Sequence, residues 1–273
     1  MTPTAESLQC LCDIARAAGA AIMAEYQPAM AVAAKPDNSP VTQADLSADA
    51  IIRERLTRQF PGMSIVSEES VPGTAAPAEP YFLVDPLDGT REFIEGNGEF
   101  TVNIALISAG RPLAGVVYAP ATAHLYYGAE GVGAWRDDGS QITPLKARSI
   151  SIGSPLRITG SRKHGANELS AWMAGLSLPT VLVPAGSSLK FCLIAEGSAD
   201  IYPRLAPTYP WDTAAGQCVL ECAGGQVTDW QGNPLQYSPG LPQPNPYFIA
   251  TGPRNSLTAQ LLSATPVSTD PRA

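Results

Sequence analysis

Two aspartates three residues apart, Asp85 and Asp88, stand in the stretch Asp85-Pro86-Leu87-Asp88-Gly89-Thr90, directly after the apolar run Tyr81-Phe82-Leu83-Val84. Such a run reads as a buried strand. Its end offers two carboxylates and, between them, the Leu87 carbonyl. Hard oxygen donors suit Mg2+ or Mn2+ and not a soft metal. Gly89 has no Cβ to restrict φ and permits a sharp turn. Thr90 brings a hydroxyl and a candidate helix N-cap. If a helix starts there, the N–H groups of Gly89 and Thr90 can meet an anion, so metal and phosphate could share one spot. The same residues also fit a strand running into a capped turn, and the stretch alone does not separate the two.

Four further acids bear on the choice. Glu68-Glu69 follow a short apolar strand directly, where a solvated strand end is the simple alternative. Asp45 completes Thr42-x-x-Asp45, a capping-box pattern, and the pattern alone favours capping. Asp212 begins an apolar helix, where the helix dipole favours its charge and an N-cap role is the plain reading. Four carboxylates gathered and ionised together repel one another, and make sense mainly as a cation site.

The elements that must position them alternate along the chain. Residues 5–27 form an amphipathic helix with Leu8, Leu11, Ala15, Ala18 and Ile22 at spacings of three and four. A loop covers 30–40. A second helix runs over 42–60 with Leu46, Ala50, Ile51 and Leu56 as its buried stripe. Strands are expected at 63–67, 81–84, 100–108, 113–119, 124–127 and 133–135, most of them in one antiparallel sheet. The Pro- and Ala-rich segment 71–79 is a loop, and Asp137-Asp138-Gly139 is a hairpin turn. Composition shifts over 147–155, placing the domain boundary near 150. Beyond it, strands at 156–160, 180–183, 200–202, 226–230 and 247–251 alternate with helices at 167–176, 187–196, 211–223 and 256–263. The second half, 151–273, is therefore α/β. The first, 1–150, carries most of the candidate ligands on an α+β framework.

The bulk properties exclude several classes. The chain has 273 residues, 45% of them hydrophobic, and a net charge of −8. No basic footprint for nucleic acid is present. No apolar run approaches the roughly 18 residues that span a bilayer, and the N-terminus has no signal-peptide pattern. Cys10, Cys12, Cys192, Cys218 and Cys222 show no disulfide framework, so free thiols in the reducing cytoplasm are expected. With His124 and His164 the only histidines, a phospho-histidine intermediate has no candidate.

The Asp85–Thr90 motif, followed by Trp211-Asp212-x-x-Ala215 and Ala223-Gly224-Gly225, resembles the paired signature of the inositol monophosphatase superfamily, lithium-sensitive metal-dependent phosphatases. Within it, Lys35–Thr42, Leu83–Ile94, Asn97–Ile104, Gly186–Cys192 and Tyr202-Pro-Arg204 are similar to the CysQ-type 3′(2′),5′-bisphosphate nucleotidases. The resemblance implies an α/β (α+β) fold, a layered αβαβα sandwich of the inositol monophosphatase/fructose-1,6-bisphosphatase type. It implies removal of the 3′-phosphate from adenosine 3′,5′-bisphosphate, with the 5′-phosphosulfate form as a further substrate. Carried over by position, Glu68, Asp85 and the Leu87 carbonyl hold one Mg2+, and Asp85, Asp88 and Asp212 a second. A third ion, substitution by Mn2+, and inhibition by Li+ and Ca2+ belong to the same expectation. Asp45 and Thr90 activate the attacking water beside Glu68, and Gly89 and Thr90 hold the scissile phosphate. Ser161, His164, Gly186 and Lys190 face the nucleotide, although a lysine on the first turn of a helix is ordinarily solvated. Arg204 could serve either role.

Where many members carry Pro-Glu, this chain has Gly216-Gln217, which weakens an inositol-specific reading. Inositol monophosphate or a sugar bisphosphate remains the alternative substrate, and a non-catalytic anion- or metal-binding protein on the same fold is the third. The expected partner is a small nucleotide, with no nucleic acid, no spanning segment, and at most peripheral contact with the inner membrane face.

Overall fold

The computed structural model describes residues 2–26, 32–34, 40–70, 77–151, 153–163, 165–238 and 243–263. Helix α1 spans Ala5–Glu25. Thr4 caps it: its hydroxyl accepts the Ser7 N–H at 3.1 Å, and Ser7 Oγ accepts the Thr4 N–H at 2.9 Å. By length and composition α1 could cross a membrane. Its Leu8, Leu11, Ile14, Ala15, Ala18 and Ile22 are instead buried in the core.

Helix α2 spans Gln43–Gln59, and its buried face corrects the expected stripe. Leu46 is 48% exposed and Ala50 is exposed. The helix turns Ala44, Ala48, Ile52 and Leu56 inward, together with Asp45 and Asp49. Apolar spacing misplaced the face because two of its buried positions are acids with fixed partners. The loop expected over 30–40 is shortened by β1 (Val32–Ala34) and β2 (Pro40–Thr42), which pair antiparallel; residues 35–39 lie outside the described set.

A seven-stranded sheet follows, with β3 (Ser64–Ser67), β4 (Tyr81–Asp88), β5 (Thr101–Ser108), β6 (Arg111–Ala119), β7 (His124–Ala129), β8 (Gly133–Asp137) and β9 (Ile142–Pro144) side by side in chain order. Only β3 and β4 run parallel. Short helix α3, Thr90–Ile94, leaves the end of β4. The second, five-stranded sheet contains β10 (Leu156–Gly160), β11 (Thr180–Pro184), β12 (Ile201–Arg204), β13 (Gln226–Asp229) and β14 (Phe248–Thr251) in the order β11-β10-β12-β14-β13. The remaining helices are α4 (Ala166–Ala174), α5 (Leu189–Ala195), α6 (Ala214–Cys222) and α7 (Ser256–Ser263).

The layers run αβαβα. Helices α1 and α2 cover one face of the first sheet, and α5 and α6 fill the space between the sheets. On the outer face of the second sheet, Leu169 and Trp172 of α4 and Leu257 and Leu261 of α7 pack over Ile158, Ile201 and Ile249. A helix sandwiched between two sheets must be apolar all round, and every residue of α6 from Ala214 to Leu220 is buried. All five cysteines are free.

Candidate active site

A bulge in β4 builds the first part of the site. Asp85 lies opposite Asn103 of β5, and Asp88 opposite Thr101, so three steps along β4 match two along β5. In a regular strand, residues three apart point to opposite faces. The extra residue puts Asp85 and Asp88 on the same side. Pro86 sits in the bulge, where its missing N–H is tolerated. Both aspartates line one cleft of about 290 Å3.

Glu68 comes from the neighbouring strand. Just past the end of β3, its N–H donates to the Val84 carbonyl at 3.1 Å, which sets it beside Asp85. Asp49, which the sequence did not mark, steadies that turn by accepting Ser67 Oγ at 2.6 Å and Ser70 Oγ at 3.2 Å. Asp212 arrives from the second half. The expected helix over 211–223 is broken here: a single 3₁₀ turn, Pro210–Asp212, precedes α6, which begins at Ala214. Asp212 Oδ2 accepts the Tyr209 N–H at 2.8 Å, so Asp212 caps as well as facing the cleft. Behind it, Asn245 Nδ2 donates to Tyr209 O at 2.8 Å and to Thr213 Oγ1 at 3.1 Å.

One carboxylate oxygen from each of Glu68, Asp85 and Asp212 lies within 4.8 Å of the others. Burial, then Glu68 and then Asp88, hold the Asp85 carboxyl well above its usual range. Burial and then Asp88 push Asp212 up to about 8. Lys190 and Arg204, which also line the cleft, make hydrogen bonds to main-chain carbonyls and none to the triad among the described contacts. Lys190 Nζ donates to Ser187 O at 2.6 Å, and Arg204 to Ala206 O at 2.9 Å and Pro207 O at 2.8 Å. An all-oxygen, acid-rich donor set whose charges oppose one another fits a hard divalent cation. Glu69 does not line the cleft.

A stability signature follows. Asp212 is raised from 3.8 to about 8 on folding without metal, and Asp85 is raised with it. Across that window the folded chain binds more protons than the unfolded one, so stability falls as pH rises. Thermal unfolding in EDTA should show a lower Tm at pH 8 than at pH 5.5, and excess Mg2+ should remove most of that loss. Parallel pH profiles with and without Mg2+ would show that no cation relieves these carboxylates.

Asp45 is 1% exposed and serves two partners. Its Oδ2 accepts Thr42 N–H at 2.8 Å and Thr42 Oγ1 at 2.7 Å, the capping box. Its Oδ1 accepts Thr90 Oγ1 at 3.1 Å. Thr90 is not itself the cap of α3; Gly89 is, at φ 91°, a conformation that glycine adopts without strain. Thr90 is the first helical residue and lines the cleft.

Asp88 stands outside the close triad, with Oδ2 held by Ser188 of the second half and by Asn103 of β5. Ser188 donates to it through N–H at 2.7 Å and reaches it with Oγ at 3.0 Å; Asn103 Nδ2 donates at 3.2 Å. Ser188 occupies the N-cap of α5 but makes no side-chain cap bond. Asn103 had no assigned role in the sequence, although Thr101 and Asn103, two apart in a buried apolar strand, are the signal that one face of β5 serves polar partners. Lys190 is 5% exposed rather than solvated, and burial, then Arg204, lowers it to about 8. Ser161 lines the cleft. Gly186 does not; a Cβ there would meet Glu99 O at 2.6 Å, so it permits close packing of its loop. His164 lies outside the described residues. Gln217 is buried beneath the site, accepting from Tyr237 OH at 2.7 Å, and does not reach the cleft; the Gly216-Gln217 departure is a packing feature here.

The profile of the Inositol monophosphatase family matches residues 4–265. A 3′(2′),5′-bisphosphate nucleotidase CysQ of Escherichia coli O157:H7 is 47% identical over 242 residues, 87% of this chain and 96% of its own. The CysQ nucleotidase of Salmonella typhimurium is 46% identical over 248 residues, 89% and 99% of the two chains. Among solved structures, CysQ from Bacteroides thetaiotaomicron superposes with a TM-score of 0.77 at 34% identity, covering 92% of this chain and 98% of its own. An inositol monophosphatase from Anabaena gives 0.72 at 29%, covering 94% and 93%.

Proposed function

The chain belongs to the inositol monophosphatase family, and from that premise we propose that it is a Mg2+-dependent 3′(2′),5′-bisphosphate nucleotidase that hydrolyses the 3′-phosphate of adenosine 3′,5′-bisphosphate. The observation that carries this reading is a single cleft lined both by a carboxylate triad and by two cations, the buried Lys190 and the half-buried Arg204. A substrate with two phosphates needs both sets of groups. The acids suit the reacting phosphate through a metal, and the cations suit the second phosphate directly. An inositol monophosphate has no group that calls for a buried lysine.

Glu68, Asp85, Asp212 and the Leu87 carbonyl would hold the metal, with Asp88 contributing the oxygen that Ser188 does not engage. Bound Mg2+ would neutralise the phosphate, lower the pKa of water and favour the leaving alkoxide. The chain's own residues do the rest. Asp45, fixed by Thr42, holds the Thr90 hydroxyl hydrogen and leaves the Thr90 oxygen facing the cleft to accept from water. Proton transfer then runs from water to Thr90 Oγ1 and from Thr90 to Asp45 Oδ1. The first N–H groups of α3 have no acceptor within the helix, and meet the scissile phosphate. Unpaired thiols fit a reducing cytoplasm.

Phosphate release, with Mg2+ present, from adenosine 3′,5′-bisphosphate and inositol 1-phosphate side by side tests the reading. The nucleotide should be preferred by several powers of ten; preference for inositol phosphate would overturn the substrate and keep the metal site. Lys190→Met should raise KM for the bisphosphate by about 10²-fold, the scale of a lost charge-assisted contact, while changing KM for adenosine 3′-monophosphate little. Equal effects on both would remove Lys190 from recognition of the second phosphate.

A further inference from the structure

The dipeptide Ser187-Ser188 touches both halves of this cleft at once. Ser187 Oγ reaches the carbonyls of Asp88 at 2.8 Å and Glu99 at 2.7 Å. Its own carbonyl accepts Lys190 Nζ at 2.6 Å. The turn is drawn tight there: Ser187 sits at φ 48°, a left-handed conformation that a serine adopts only at some cost. A Cβ on Gly89 would meet Ser187 Oγ at 2.3 Å. The segment that carries the buried ammonium is thus pressed onto the turn that carries the acids.

Ser188 has one hydroxyl hydrogen and two acceptors in reach. Asn103 Nδ2 donates to Ser188 Oγ at 2.9 Å, which occupies a lone pair and orients the hydroxyl. The hydrogen can then go to Asp88 Oδ2 at 3.0 Å or to the Asp212 carbonyl at 2.8 Å, but not to both. Ser188 is 1% exposed, so water does not compete. A buried hydroxyl with two alternative acceptors, each on a different acid of the cleft, is a two-state element. Coupling between sites requires such an element, biased from both ends.

Resting on the nucleotidase reading, we propose that Ser187-Ser188 is a positioning relay that couples the second phosphate of the substrate, at Lys190, to the grip of Asp88 and Asp212 on the divalent cation. An anion that draws the Lys190 ammonium releases the Ser187 carbonyl and frees the 187–188 peptide, whose Ser188 N–H and Oγ both hold Asp88 Oδ2, to ease away from that carboxylate and toward the Asp212 carbonyl. A cation on the acids relieves Asp88 of its need for a donor and leaves the Ser188 hydrogen to the Asp212 carbonyl. Each event favours the same arrangement, so nucleotide and metal bind with positive cooperativity. Selectivity is then expressed in the metal step as well as in substrate affinity: a ligand without the second phosphate meets a more weakly held cation.

The test is calorimetric and needs no turnover. Mg2+ is titrated into the full chain alone and with saturating adenosine 5′-monophosphate. The nucleotide should tighten Mg2+ about tenfold, within the usual range for coupled sites, and Mg2+ must tighten the nucleotide by the same factor. In Ser188→Ala the coupling should fall below about twofold, with Tm and circular dichroism reporting that the variant is folded. A merely structural serine would weaken Mg2+ equally with and without nucleotide and leave the ratio intact, and that result overturns the relay. So does a wild-type protein that binds both ligands independently, which keeps the test decisive even if the variant does not fold. Failure of adenosine 5′-monophosphate to bind the wild type at all would overturn the nucleotidase reading itself, and the relay with it.

Discussion

Asp85→Asn should lower turnover by about 10³-fold or more, the scale of removing a preorganised charge-stabilising group, and at the same time make the metal-free protein more stable. The opposition is the signature. Asp85 is 1% exposed and carries the repulsion of Glu68, Asp88, Asp212 and Asp45. Asparagine keeps the shape and keeps an oxygen for the Leu87 N–H, now at 3.1 Å from Asp85 Oδ1. It removes one charge from a crowded buried set, which is the situation in which neutral replacement stabilises. At pH 8 in EDTA, Tm should rise by several degrees, given roughly 2–4 °C per kcal/mol for a chain of this size. Added Mg2+ should stabilise the parent protein strongly and the variant little. A variant that loses activity and stability together would mean that Asp85 is a packing residue. One that keeps near-normal turnover would remove it from the metal site.

Much of this site was legible because its chemistry is local in the chain. Asp85, Leu87, Asp88 and Thr90 sit within six residues, and strand-end acids followed by glycine constrain what they can do. The paired motif at Trp211-Asp212 then ties the second half to the first. What stayed hidden depends on geometry that sequence spacing cannot carry. Asp85 and Asp88 share a face only because of one extra residue in β4. Asp49 and Asn103 matter through partners 18 and 85 residues away. The stripe of α2 was misplaced because apolar periodicity assumes that acids face water, and here two acids face inward to hold Thr42, Thr90, Ser67 and Ser70. Position on a first helical turn likewise made Lys190 read as solvated, and only the resemblance set it at the nucleotide. Buried polar groups are rare enough that pattern rules omit them, and functional clefts are where they concentrate.

Thr90→Val isolates the water-activating pair from the metal. Valine matches threonine in shape and removes only the hydroxyl that joins Asp45 to the cleft. General-base assistance of this kind is worth about 10²–10⁴ in rate, so kcat should fall by that factor. KM for the nucleotide and Mg2+ affinity should stay near the parent values, because Thr90 contributes no carboxylate to the triad. Asp45→Asn should have a comparable effect: the amide can still meet Thr42 but cannot take up a proton from Thr90. If the two act as one device, the double variant loses little beyond either single change. The bond of 3.1 Å between Thr90 Oγ1 and Asp45 Oδ1 requires that non-additivity, since removing either end leaves the other without a proton to pass. Additive losses would mean that Asp45 serves only to cap α2 and that the attacking water is activated elsewhere. Retention of more than about a tenth of the parent kcat in Thr90→Val would assign the proton transfer to the triad side of the cleft, with Glu68 the first residue to replace.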